Sequence, residues 1–262
     1  MRLDLYLTEN GYAESRQRAK LLIVEGYVSV NGKPVRKPAL DVADDVTVQV
    51  SGDPIGYVSR GALKLKGAFE AFSLRADGKV AADIGASTGG FTDYLLSQGA
   101  ALVYAVENGC DQLAPKLCAD PRVISMEKYN ARALDPNDFK GGVDLAVMDV
   151  SFISQTMILP SLVGILRQRA YVVSLIKPQF EAGRFAVGKG GIVKDPISRA
   201  LAIKRVVTCA EENGLALVGL IPSPILGGDG NAEFLACFSR GGCMDAYTDN
   251  IDLLISGAVD AV

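Results

Sequence analysis

Apolar and polar positions along the chain change rhythm near residue 56. Before that point the pattern is short: an amphipathic LDLYLTENGY, a second helical segment from Glu14 or Ser15 to about Glu25, then the β-branched runs YVSV and DVTVQV. Asn31-Gly32, between YVSV and KPVRKP, is a pair that accepts the positive φ angles of a two-residue hairpin turn. Residues 1–50 therefore predict a small α+β domain, two helices followed by strands. Residues 51–57, with Gly52, Pro54 and Gly56, predict a linker.

From Lys79 onward apolar runs alternate with helical segments: VAADIG then FTDYLLSQG, ALVYAVE then DQLAPKLC, DLAVMDV then a helix through MILPSLVGIL. YVVSLIK follows, then a long helix from about Ile197 to Asn213, then LALVGLI and AEFLACF. Buried runs alternating with helices predict an α/β domain over residues 58–240, a parallel sheet with helices on both faces. The tail, 241–262, is acidic, with a short helix expected around Ile251 to Ile255 and no function attached to it.

Composition narrows the possibilities. With 262 residues, 49% of them hydrophobic, the chain can bury two cores. A membrane helix needs on the order of 20 apolar residues, and the best runs, Ala100 to Val106 and Tyr171 to Ile176, stop far short. MRLDLYLTEN has charges among its leucines and no signal-peptide pattern, so the expected location is the cytoplasm, away from membranes. Five cysteines without CxxC spacing fit reduced thiols, and no metal is expected. The chain has no histidine, which excludes Ser-His-Asp and Cys-His sites, HExxH zinc sites and an imidazole base. Net charge is −3, so a nucleic-acid partner would have to be held by local basic clusters. Two such clusters lie in the first domain, at Arg16, Arg18 and Lys20 and at Lys33, Arg36 and Lys37. The same residues also describe a solvated helix face and a polar loop.

The chemistry begins at Asp83-Ile84-Gly85-Ala86-Ser87-Thr88-Gly89-Gly90-Phe91, directly after the first strand of the sheet. Ligands of open α/β sheets bind beyond the carboxyl ends of strands, where glycines let backbone come close. The spacing GxxxGG matches neither the dinucleotide GxGxxG nor the phosphate-binding GxxxxGK[ST]. The second strand ends in Glu107, whose carboxylate can accept hydrogen bonds from a ribose diol. Together these suit an adenosine-containing cofactor without a pyrophosphate, although a bare glycine turn can be merely structural. Asp149 and Lys177 close apolar strands and can emerge on the ligand side, while Glu233 opens AEFLACF. Pro178 keeps the backbone of Lys177 extended. Each of these alone also reads as a solvated or capping residue. Lys64 lies off the helical stripe of Ala62, Leu65, Phe69 and Phe72, so periodicity alone puts it on the surface.

The ordered motifs RLDLYL, SRQRAK, GYVSVNG, YVSRGALKL, DIGASTGGFTD, YAVENG, VMDVSFIS, LIKPQFE, VGKGGIVKDP and NAEFL resemble the TlyA proteins, ribosomal RNA 2′-O-methyltransferases often described as haemolysins. The likeness runs to about Phe238. It implies an RNA-binding domain like that of ribosomal protein S-four (the alpha-L motif), joined to a Rossmann-like methyltransferase domain of the FtsJ type. It further implies S-adenosylmethionine as cofactor and cytidine in ribosomal RNA, free or within ribosomal subunits, as substrate. The family's Lys-Asp-Lys-Glu tetrad falls on Lys64, Asp149, Lys177 and Glu233. The cofactor loop falls on Asp83, Gly85, Ala86, Ser87, Thr88, Gly89, Gly90 and Phe91, with Glu107 where relatives usually carry Asp. Candidate RNA contacts are Arg2, Arg16, Arg18, Lys20, Lys33, Arg36, Lys37 and Arg60, and, around the GKGG loop, Arg184, Lys189, Lys194 and Arg199. In this reading Lys177 is the base, with Lys64 as neighbouring cation and the two carboxylates orienting them. Two alternatives stay open: a membrane-lytic protein, and a noncatalytic RNA-binding protein with a vestigial methyltransferase fold.

Overall fold

The computed structural model describes residues 1–13, 15–24, 26–43, 46–51, 56–227, 230–242 and 250–262. The chain divides into two compact units, Met1–Ser59 and Arg60–Val262.

The first unit has helices α1 (Leu3–Glu9) and α2 (Arg16–Val24) and strands β1 (Val28–Val30), β2 (Lys33–Val35) and β3 (Val48–Val50). Asn31 and Gly32 both take positive φ, 50° and 74°, and join Val30 to its partner Lys33 in the hairpin that this dipeptide predicts. β1 pairs antiparallel with both β2 and β3. Leu3, Leu7, Ala19, Ile23 and Val28 form the core of this unit.

The second unit opens with α3 (Gly61–Ala71), then β4 (Val80–Ile84), α4 (Gly90–Ser97), β5 (Leu102–Val106), α5 (Pro115–Cys118) and β6 (Val123–Met126). It continues through β7 (Val143–Met148), α6 (Leu159–Ile165), β8 (Leu166–Ile176), α7 (Pro178–Glu181), α8 (Pro196–Glu212), β9 (Leu215–Pro222), β10 (Phe234–Arg240) and α9 (Ile251–Asp260). Seven strands form one sheet in the order β6-β5-β4-β7-β8-β10-β9. Ala82, Ile84, Tyr104, Ala146, Met148 and Val172 point to the face covered by α6, α8 and α9, where Leu159, Leu162, Ile203, Val206, Ile255 and Val259 meet them. The alternate residues of the same strands, Ala81, Val103, Leu145 and Val173, are buried too, and α3 and α4 pack together against β4, β5 and β10. Burial on both faces is why these strands read as unbroken apolar runs.

The expectation of a parallel sheet is corrected at one strand. β4, β5, β6, β7 and β8 run parallel, but β10 is antiparallel to both β8 and β9. A parallel return needs a crossover of a dozen or more residues, usually a helix, whereas β9 and β10 are joined as neighbours by the short stretch 223–233. The strand therefore turns back and inserts beside β8. Three local expectations also shift. The helix expected through DQLAPKLC is the single turn α5, the tail helix extends to Asp260, and β6 appears at VISM, where none was expected. Residues 52–55 of the expected linker, 228–229 of the GGDGN turn and 243–249 of the tail lie outside the described residues.

Candidate active site at the strand ends

The rim begins at Asp83. Its Oδ2 accepts hydrogen bonds from Thr92 N at 2.9 Å and Thr92 Oγ1 at 2.7 Å. A strand carboxylate thereby satisfies an amide that the first turn of α4 leaves open. Oδ1 is buried and has no hydrogen-bond partner among the described residues. Burial pushes this carboxyl up to about 7, against the Thr92 hydrogen bonds and with the charges of Asp149 and Glu107 adding to the rise.

Between Asp83 and α4 the chain makes the tight turn that its glycines allow. Gly85 has φ +84°, and a Cβ there would stand 2.5 Å from the carbonyl oxygen of Asp149. Gly89 has φ +93°, and a Cβ would stand 2.2 Å from Leu117 Cδ1. Both conformation and space therefore demand glycine. Ala86 and Phe91 are buried, Ser87 and Thr88 are exposed, and Gly90 begins α4. Glu107, just past β5, accepts from Ser87 N at 2.9 Å and Gly109 N at 2.8 Å, so the second strand end grips the turn of the first.

The four tetrad candidates form two pairs. Lys64 Nζ lies 2.5 Å from Glu233 Oε2, and both residues are buried, at 8% and 3% exposure. The surface position that periodicity gives Lys64 is thus corrected, because Glu233 covers it from a segment 169 residues away. Lys177 Nζ lies 2.6 Å from Asp149 Oδ1 and donates to Ser151 Oγ at 2.8 Å. Lys177 has φ −110° and ψ 102°, the extended backbone that a following proline enforces. Three further observations bring the pairs to one rim. β7 and β8 are parallel neighbours. Phe234 pairs with Ile176, so Glu233 and Lys177 come next along two adjacent strands. Asp149 N donates to Ile84 O, which ties the second pair to the glycine turn.

The loop after Asp149 holds groups that sequence reasoning passed over. Phe152 is 91% exposed with φ +63°, a strained conformation for an aromatic residue, and its ring centroid lies 5.1 Å from that of Phe180. Glu181 is buried and accepts from Ser154 Oγ at 2.5 Å and Gln155 N at 2.8 Å. Gln155 Nε2 in turn donates to Leu175 O at 2.6 Å. Burial pushes the Glu181 carboxyl up, opposed by these hydrogen bonds. VSFIS and KPQFE carry the relevant residue types, but only the parallel pairing of β7 and β8 reveals that they meet.

Several of the basic candidates are committed within the fold. Arg2 and Arg16 both bind the buried Asp4, at 2.9 and 3.0 Å. Arg36 is exposed but donates to Val24 O, and Arg199 donates to Val193 O. Lys20, Lys33, Lys37, Arg60, Arg184, Lys189 and Lys194 are exposed, and Arg18 is half-buried on α2.

Residues 57–240 match the FtsJ-like methyltransferase family model, and residues 1–48 match the S4 domain. The chain is 47% identical over 234 residues to the 16S/23S rRNA (cytidine-2'-O)-methyltransferase TlyA of Mycobacterium tuberculosis (strain CDC 1551 / Oshkosh), covering 89% of this chain and 87% of that one. It is 44% identical over 239 residues to Hemolysin A of Brachyspira hyodysenteriae, covering 91% and 99%. Among solved structures, a candidate hemolysin from Streptococcus thermophilus superposes with a TM-score of 0.77 at 41% identity, over 99% of this chain and 96% of that one. Among the described residues no helix is long and apolar enough to cross a membrane.

Proposed function

Because this chain belongs to the TlyA family, with an S4 domain ahead of an FtsJ-like methyltransferase domain, we propose that it methylates the ribose 2′-hydroxyl of a cytidine in ribosomal RNA. The observation that carries this reading is the meeting of two lysine–carboxylate pairs, Lys64–Glu233 and Lys177–Asp149, at strand ends beside the glycine turn. Residues 58–240 carry the chemistry in this account and residues 1–50 bind RNA, with 51–57 as the link.

The cofactor is S-adenosylmethionine. When bound, it supplies an electrophilic methyl group on a positively charged sulfur. The residues beyond β4 and β5 suit it. Gly85 and Gly89, packed against Asp149 and Leu117, allow the tight turn that leaves Ser87 and Thr88 exposed. Each Glu107 oxygen keeps a lone pair beyond its one amide bond, enough for a ribose diol. Asp83 Oδ1 is buried without a hydrogen-bond partner among the described residues, and a cationic ligand beside it would favour the ionised carboxylate.

With no histidine in the chain, the ribose hydroxyl proton needs another acceptor. Lys177 Nζ is that acceptor, standing at the rim with its stem largely covered. Asp149 stabilises the ammonium formed as the proton arrives, and Glu233 holds Lys64 as the second cation of the pocket. Arg184, Lys189 and Lys194, exposed on the loop before α8, would meet phosphates in this reading.

Lys177→Ala should abolish methyl transfer to ribosomal subunits while calorimetric binding of S-adenosylmethionine persists. Full activity in that variant removes the assignment. Leakage of liposomes caused by the purified chain, without methyl transfer, would favour the lytic alternative instead.

A further inference from the structure

We propose that Ser151 is a positioning residue for methyl transfer, its hydroxyl fixing the direction in which the Lys177 amine presents its lone pair. This rests on Lys177 being the base. Lys177 Nζ has two polar neighbours, Asp149 and Ser151. Asp149 Oδ1 is the nearer, at 2.6 Å, yet among the described residues it receives no aligned hydrogen bond. Ser151 Oγ, at 2.8 Å, does accept one from the amine. Asp149 thus supplies charge, and Ser151 supplies the aligned hydrogen bond.

Direction matters because a neutral primary amine is tetrahedral. Around Nζ stand Cε, two N–H bonds and one lone pair, and rotation about Cε–Nζ carries the lone pair through three staggered positions. Donating one N–H to Ser151, with the other drawn toward the Asp149 charge, leaves the lone pair a single remaining direction. In the proposed step the 2′-oxygen forms its bond to the methyl carbon, the carbon–sulfur electron pair stays on sulfur, and the hydroxyl proton moves to that lone pair. A misdirected lone pair would slow this step without altering what binds.

The hydroxyl is itself held in place. Asp149 N is bonded to Ile84 O on one side of Ser151, and Ser154 and Gln155 are bonded to Glu181 on the other. Lys177 is fixed from its own side by Pro178. Ser151 is exposed, and its hydroxyl makes this one side-chain hydrogen bond among the described residues, so deleting it removes that bond and leaves the Lys177–Asp149 ion pair.

The test uses the full chain as wild type, Ser151→Ala, Ser151→Thr and Lys177→Ala. Methyl transfer from labelled S-adenosylmethionine to unmethylated small and large ribosomal subunits gives kcat and KM, and calorimetry gives cofactor affinity. Ser151→Ala should lower kcat by about tenfold to hundredfold, with KM and cofactor affinity within about twofold of wild type. Ser151→Thr, which keeps the hydroxyl, should restore kcat to within about threefold. An alanine variant with wild-type kcat, a loss confined to KM, or a threonine variant no better than alanine overturns the proposal. If Lys177→Ala is inactive while Ser151→Ala is not impaired, only the positioning role fails. If Lys177→Ala is active, the assignment of the base fails and the positioning role falls with it.

Discussion

At the level of single residues, burial weighs heavily on the charge of Asp83. Its ordinary value is 3.8 and in the folded chain it stands at about 7, chiefly through burial. Between those values the folded chain holds a proton that the unfolded chain has released. Stability of the ligand-free protein therefore falls as pH rises from about 4 to about 7, by on the order of 4 kcal/mol, and levels off above. Replacing Asp83 by Asn should flatten that part of the pH dependence of Tm; an unchanged slope would place the proton elsewhere. A cationic ligand favours the ionised carboxylate, so S-adenosylmethionine should bind more tightly as pH rises toward 7 and release a proton on binding, both readable by calorimetry. Asp83 as a candidate was legible because it ends the first strand before a glycine turn. Its orphaned oxygen was not, since that depends on where Thr92 places its two donors.

At the scale of elements, what sequence conveys depends on how far apart the partners lie. The Asn31-Gly32 hairpin is local chemistry and reads directly. The parallel strands read from their apolar runs, but a buried antiparallel strand reads the same way, so the reversal of β10 is visible only in the shortness of its connection to β9. β6 is an edge strand with Ile124 exposed, and its half-buried pattern gives no apolar run to notice. Lys64 shows the limit most clearly. Helical periodicity puts it outside the stripe of α3, and only the arrival of Glu233 at the start of β10 makes a buried ion pair of it. Lys64→Ala leaves that carboxylate buried without its cation and should cost roughly 3–5 kcal/mol in urea unfolding. The double variant Lys64→Met, Glu233→Gln should recover most of that stability while remaining inactive. A double variant as unstable as the single one would mean that the pair does not act as a unit.

At the scale of the whole molecule, a chain of net charge −3 must meet a polyanion through local clusters. Arg184, Lys189 and Lys194 are exposed together on the loop that follows the Lys177 strand. Neutralising all three should lower the slope of log affinity for RNA against log salt by about 2, with cofactor binding unchanged; an undiminished slope would assign them to solvent. Arg2 and Arg16, tied to Asp4, should contribute less than the exposed Lys20, Lys33 and Lys37. The resemblance made the family legible from ordered motifs, whereas the pairing of its lysines and carboxylates required the sheet. Whether the chain methylates ribose is decided by mapping 2′-O-methylation on ribosomal RNA after unmethylated subunits are incubated with the purified chain and S-adenosylmethionine. Wild type should leave a new 2′-O-methylcytidine and Lys177→Ala none; a wild-type protein that binds the cofactor yet leaves every ribose unmodified would rule out the methyltransferase reading.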